Sequence, residues 1–189
     1  MSQAKVLTEV ELKRVLAVVA QHGILAARNR LAVLLSHWAG MRAGEVAALK
    51  IMDVVNDDGQ VRDRIHLSVE QTKGKRGRTV FINTKLQREI AKYLENRKWA
   101  DERKPLILSS KGGHFTPTSM VNLFKRIYVQ AGLPDCRSHS GRRSYLTNLA
   151  NKGVSVFVLQ QLAGHRSIQT TQRYVTVNED MMVKAAELA

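Results

Sequence analysis

Leu159-Gln160-Gln161-Leu162-Ala163-Gly164-His165-Arg166-Ser167-Ile168-Gln169-Thr170-Thr171-Gln172-Arg173-Tyr174 is the stretch that decides how this chain is read. It sets one histidine and one tyrosine nine residues apart, across a glycine break and a short second helix. Ser155 suits an N-cap, Phe157, Val158 and Leu162 give an apolar pattern, and Gly164 stops the first helix. Ser167 can then cap a second helix carrying Thr170, Thr171 and Tyr174, which leaves His165 at the turn beside a helix start. A tyrosine on a short helix is ordinarily a packing residue, so its meaning depends on what stands upstream.

Upstream, Gly40-Met41-Arg42-Ala43-Gly44-Glu45-Val46-Ala47-Ala48-Leu49 breaks one apolar helix (Arg28 to Ala39, with Leu31, Leu34, Leu35 and Trp38) and starts another. If this segment is helical, Arg42, Glu45, Val46 and Leu49 share a face, so two charges sit on an apolar stripe. Either Arg42 and Glu45 are simply a structural pair, or Glu45 holds Arg42 while its guanidinium faces a bound anion. The same oddity recurs in Ser138-His139-Ser140-Gly141-Arg142-Arg143-Ser144-Tyr145-Leu146, where His139, Arg142, Leu146 and Leu149 fall on one helical face. Two inward arginines repel unless something anionic lies between them.

The chain has 189 residues, 44% of them hydrophobic, enough for one well-filled domain over 1–189. Thirty Lys and Arg against sixteen Asp and Glu give a formal charge of +14, a field that attracts polyanions. Aromatics are only 5%, which argues against a single-strand stacking platform and for contact with duplex backbone. The lone Cys136 excludes an internal disulfide and a Cys-rich zinc site, and Cys136 with His139 is too little for a metal. No window approaches the roughly 18 apolar residues of a membrane span and the N-terminus lacks a signal-peptide core, so a cytoplasmic protein is expected.

The remaining elements read as follows. Thr8 and Glu11 form a capping box for a helix whose apolar side is Val10, Val15, Leu16 and Val19, ending near Gly23. Ile65, Leu67 and Val69, then Val80 and Ile82, alternate around Lys73-Gly74-Lys75-Arg76-Gly77-Arg78, a hairpin with a basic, glycine-containing tip able to place a lysine in a groove. Lys85 to Arg97 is an amphipathic helix through Leu86, Ile90 and Leu94. Pro105 to Leu108 is extended and Lys111 to His114 a loop. Thr116 and Pro117 open a helix to Ala131 with Val121, Phe124 and Tyr128 buried and Gly132 at its end. The tail from Asn178 suits a capped helix with one apolar side.

From about Leu7 to Val177 the chain resembles the catalytic domain of the tyrosine recombinases, the phage-integrase family. The family's arginine, lysine, histidine-x-x-arginine, histidine and tyrosine appear in order as Arg42, Lys73, His139 with Arg142, His165 and Tyr174, and the words Gly40-Met41-Arg42-Ala43-Gly44-Glu45 and Leu162-Ala163-Gly164-His165 match as well. The fold this implies is mainly α with a small antiparallel β hairpin, of the DNA breaking-rejoining kind. The activity implied is site-specific recombination in which Tyr174 attacks a DNA phosphodiester, forms a 3′-phosphotyrosyl link and expels a 5′-hydroxyl, with no metal or other cofactor. By the same resemblance Arg42, Arg142 and His165 stabilise the charged transition state, Lys73 is the general acid with Lys75 its rival, His139 is the proton acceptor or an orienting group, and Glu45 buttresses Arg42. Lys75, Arg76, Arg78 and Arg143 are expected to meet DNA.

The implied partner is double-stranded DNA, with a homo-tetramer on DNA, compatible with a monomer in solution, whose tails dock between protomers or else pack on their own domain; no membrane is involved. A bacterial, phage or mobile-element source is implied. Three features depart from the pattern, the first being Arg143, which follows Arg142 where histidine is also common. Gly141 stands where a larger apolar residue is common and is expected to loosen packing beside Arg142; and the family's usual N-terminal helical domain is absent, as in a fragment or a compact member. The alternatives are a type IB topoisomerase using the same chemistry, a DNA-binding regulator that never cuts, and a basic protein that coats DNA.

Overall fold

The computed structural model describes residues 4–72, 76–97, 101–175 and 179–187. Helix α1, Glu9–Ala20, starts at the capping box read from the sequence: Thr8 accepts from the Glu11 N–H and the Glu11 carboxylate accepts from that of Thr8. Its buried face is Leu12, Val15 and Val19, while Val10, expected inside, is 75% exposed. After a 3-10 turn, α2 (Ala26–Ala39) runs through the middle of the molecule, with Leu31 to His37 all buried. It ends at Gly40, whose φ of 62° is open to glycine and which could carry no side chain, because a Cβ would lie 2.5 Å from the Tyr145 ring.

Two short helices follow, α3 (Ala43–Ala48) and α4 (Ile51–Val54), then a hairpin of β1 (Arg64–Leu67) and β2 (Arg78–Phe81) in antiparallel register, Ile65 opposite Val80. The alternation read as far as Val69 stops at Leu67; Val69 is 47% exposed beyond the strand. Lys73 and Lys75 lie outside the described residues. Helix α5 (Thr84–Glu95) is capped by Asn83 and buries Leu86, Ile90 and Leu94 as expected. Helix α6 (Pro117–Gln130) has the expected Thr116 cap and N-terminal proline and buries Phe124 and Tyr128, but Val121 faces out.

Helices α1 to α6 and the hairpin share one core. A second, smaller apolar cluster is formed by α7 (Ser140–Asn151) and α8 (Val156–Ala163) through Leu146, Ala150, Leu159 and Ala163, and Tyr174 packs on it after α9 (Ile168–Gln172). Ser155 caps α8 as expected, yet Phe157 and Val158 are exposed and Leu159 and Ala163 are the buried pair. Helix α10 (Glu179–Ala186) occupies the tail and exposes Met182 and Val183. No described helix is long and apolar enough to cross a membrane.

The seam between the two clusters is the packing of α7 on α2. Gly141 is what permits it: a Cβ there would stand 2.7 Å from Ser36 Oγ and 3.3 Å from the His37 backbone nitrogen. The small residue therefore tightens the contact beside Arg142 instead of loosening it. Arg142 is thereby brought over the end of α2, where its Nη1 donates to the Gly40 carbonyl at 2.7 Å.

Candidate active site

The site is assembled around the C-terminus of α8, where the last four carbonyls of a helix lack partners within it. Here each is satisfied. Gln161 and Gln160 accept from the backbone N–H groups of Gly164 and His165, a turn that Gly164 makes with φ 61°. Leu162 accepts from Arg78 Nη1 at 2.9 Å, and Ala163 accepts from Arg142 Nη2 at 2.5 Å and from Arg42 Nη2 at 3.5 Å. The negative end of the helix dipole thus gathers three arginines from three different elements.

Arg42 is the N-cap of α3, so it precedes the helix on which it was expected to lie. The Glu45 carboxylate reaches back to accept from its backbone N–H and from its Nη1, both at 2.8 Å. Arg78, read as part of the basic tip, is the first residue of β2 and points inward onto the same carboxylate, with bonds of 3.0 and 2.7 Å. Burial works to raise the Glu45 carboxyl, but the bonds and charge of Arg78, with the backbone and charge of Arg42, overcome it and hold it at about 2.

Arg142 is buried and spends its donors on the two carbonyls and on His165, whose Nε2 lies 3.1 Å from Nη2. A guanidinium only donates, so His165 Nε2 must accept; its Nδ1 then carries the hydrogen and donates to Thr171 Oγ1 at 2.9 Å. Burial first, then the charges of Arg142, Arg42 and Arg78, push the His165 imidazole down to about 4, so it is neutral at physiological pH. Burial, with repulsion from Arg42 and Arg78, also pulls Arg142 down to about 9, against the attraction of Glu45 and Tyr174. One carboxylate against three guanidinium groups leaves positive charge uncompensated, which is the electrostatic signature of a place for an anion.

Tyr174 follows α9 in a turn, its ring stacked on that of His165 with centroids 5.7 Å apart. Arg143 lies over the same tyrosine ring at 6.0 Å. His139 is the N-cap of α7, with an exposed ring, three residues before Arg142. Arg76 is exposed on the hairpin side of an open cleft of about 1170 Å³, which Arg42, Arg78, His165 and Arg166 also line. Arg42, Glu45, Arg78, Arg142, Arg143, His165 and Tyr174 are therefore brought to one place from positions far apart in the chain. Sequence reading missed Thr171 as the partner of His165, although the Thr170-Thr171 pair preceding Tyr174 marks it. Among the described residues no group of three or more His, Cys, Asp or Glu is placed to hold a metal ion.

Tyrosine recombinase XerA of Thermococcus kodakarensis is 36% identical over all of this chain, which spans 64% of that protein. XerA of Pyrococcus furiosus is 32% identical over 98% of this chain and 62% of its own length. The chain thus covers somewhat under two thirds of these relatives. Among solved structures, XerA recombinase superposes over the whole chain with a TM-score of 0.75 at 22% identity, covering 64% of that chain. The XerH site-specific recombinase bound to its difH substrate before cleavage does so over 98% of this chain and 55% of its own, with a TM-score of 0.68 at 25% identity. The profile of the phage integrase family matches residues 5–181, nearly the entire sequence, and the chain belongs to that family.

Proposed function

We propose that this chain is the catalytic part of a site-specific DNA recombinase that cuts and rejoins duplex DNA through Tyr174. The observation that carries the reading is the under-compensated cluster of Arg42, Arg142 and neutral His165 with the Tyr174 ring stacked on it, at the edge of an open basic cleft. In the cleavage step the Tyr174 hydroxyl oxygen bonds to phosphorus, the bond from phosphorus to the 5′-oxygen breaks, and the DNA 3′ end is left as a phosphotyrosyl ester. The energy of the broken ester is kept in the new one, so no nucleotide is consumed. The phenol proton passes to a base, a role His139 takes by family resemblance, and the 5′-oxygen receives a proton from Lys73 by the same resemblance.

Arg42 and Arg142 stabilise the extra negative charge on the nonbridging oxygens, and Glu45 buttresses Arg42. A phosphate between the arginines offsets part of the positive field felt by His165 and so favours its protonated form, which turns Nε2 from an acceptor into a donor to the same phosphate. Arg76 and the hairpin lysines Lys73 and Lys75 supply backbone contacts to duplex DNA. The exposed Met182 and Val183 of α10 suit docking on a neighbouring protomer in a tetramer formed on DNA.

The test is strand exchange. Duplex sites selected from a random pool by binding to this protein are placed in pairs on a plasmid, and products are followed in the presence of EDTA. Exchange between sites by the wild type, with none by Tyr174→Phe despite equal duplex binding, is the expected outcome. Relaxation of the plasmid without exchange would assign a topoisomerase instead, and equal activity of Tyr174→Phe would assign a regulator.

A further inference from the structure

Arg78 is a heavily engaged charged group beside the site that this reaction leaves without a task. It begins a strand, 33 residues from Glu45, yet its side chain is only 8% exposed, against 28% for Arg42. Its Nε and Nη2 occupy Glu45 Oε1 and Oε2 in a two-bond fork, and Nη1 reaches the Leu162 carbonyl. Gly164 leaves room for it: a Cβ there would stand 2.9 Å from Arg78 Cδ.

The fork geometry has a consequence for Arg42. A guanidinium beside a carboxylate favours the two-bond pairing, which uses two of its five donors on one partner. Because Arg78 already holds both oxygens in that way, Arg42 meets Glu45 through Nη1 alone, its second tie being the backbone N–H. Among the described residues its Nη2 has only the long 3.5 Å contact to Ala163. We propose that Arg78 is a positioning residue: by occupying the fork of Glu45 it keeps Arg42 end-on and so leaves the Arg42 guanidinium edge free to grip the DNA phosphate. This rests on the reading of Arg42 as a phosphate ligand. It also reassigns Arg78 from a DNA contact to a brace that ties the hairpin to the His165 turn.

Two measurements test it, and only one needs catalysis. In crystals of Arg78→Ala, or of Arg78→Lys if the alanine variant does not fold, Arg42 is expected to rotate into a two-bond pair with Glu45. Arg42 remaining end-on overturns the proposal. The second measurement is the single-turnover rate of covalent adduct formation on a nicked duplex at saturating DNA. Arg78→Ala and Arg78→Lys are expected to slow it on the order of tenfold to a hundredfold, because a small misplacement of a clamping group is enough. Duplex affinity and its salt dependence are expected to stay at wild-type values.

Adding Glu45→Gln to Arg78→Lys removes the carboxylate that captures Arg42, so the double variant is expected to react no more slowly than Arg78→Lys. A wild-type rate for the Arg78 variants with weaker, less salt-sensitive binding overturns the proposal and makes Arg78 a phosphate contact. A further loss in the double variant equal to the product of the single effects overturns it too. If the wild type forms no adduct, the recombinase reading fails by itself, and the crystals still decide what Arg78 does to Arg42.

Discussion

Replacing Gly141 by alanine pits two opposite effects against each other. In a helix interior the change gains about 1 kcal/mol, less in a first turn such as this one. Against that, the new Cβ meets Ser36 Oγ at 2.7 Å, Ser36 Cβ at 3.1 Å and the His37 nitrogen at 3.3 Å, all inside ordinary contact. Overpacking of this kind costs about 1–3 kcal/mol, and two of the three neighbours belong to the rigid frame of α2, so the cost wins. The expected net loss is about 1–2 kcal/mol, read as a lower urea midpoint at unchanged slope. Adduct formation is also expected to slow, because α7 must draw back from α2 and carry Arg142 away from the Gly40 carbonyl. Ser36→Ala is the control: Ser36 Oγ is buried with no hydrogen-bond partner among the described residues, so removing it is neutral or stabilises by about 1 kcal/mol. The Gly141→Ala, Ser36→Ala double variant should therefore recover part of both losses. A Gly141→Ala protein more stable than the wild type, or strict additivity in the double variant, would refute the close-approach reasoning.

Protonation offers a second test, because His165 and His37 are both held at about 4, His37 by burial. In the unfolded chain they bind protons first, near pH 6.5, so their contribution to stability is present above that pH and lost as pH falls toward 4. Urea midpoints of the DNA-free protein are expected to drop across this window, with a shallower drop in His165→Gln; an unchanged slope would contradict the assignment. Calorimetry of duplex binding in buffers of different ionisation enthalpy is expected to report proton uptake, reduced in the same variant. Thr171→Val removes the acceptor of the His165 Nδ1 hydrogen and is expected to slow adduct formation on the order of tenfold with duplex affinity intact. Arg143→Ala frees one face of the Tyr174 ring and is expected to slow cleavage at saturating DNA; a loss confined to affinity, with a salt slope lower by about 1, would make Arg143 a phosphate contact instead.

The parts of this molecule that were readable in advance are those governed by local chemistry. Thr8 with Glu11, Thr116 with Pro117, and Ser155 with Gly164 mark helix ends because the groups they satisfy lie within a few residues. Arg142 was legible because a charge on an apolar helical stripe demands a partner, whereas Arg42, singled out by the same argument, stands at the N-cap before its helix and owes its partner to the Glu45 three residues on. Arg78 was not, since beside Gly77 it looks like one more cation of a hairpin tip, and its partners come from α3 and α8. The face of α8 was misread for a related reason. Val156, Phe157, Val158, Leu159, Leu162 and Ala163 leave no unique stripe in so short a helix, and tertiary packing alone chose Leu159 and Ala163. Gly141 was read as a lost side chain, whereas its meaning is set by Ser36 and His37 across the helix contact.

The central claim is that Tyr174 becomes covalently joined to DNA, and trapping that species tests it most directly. Nicked duplexes carrying sites selected by the protein, which lose the 5′-hydroxyl fragment on cleavage, are incubated with it in EDTA, denatured and digested. Mass spectrometry is then expected to find the peptide containing Tyr174 bearing a 3′-phosphonucleotide, absent in Tyr174→Phe. Duplex bound at those sites with no adduct, or an adduct on any residue other than Tyr174, would contradict the account.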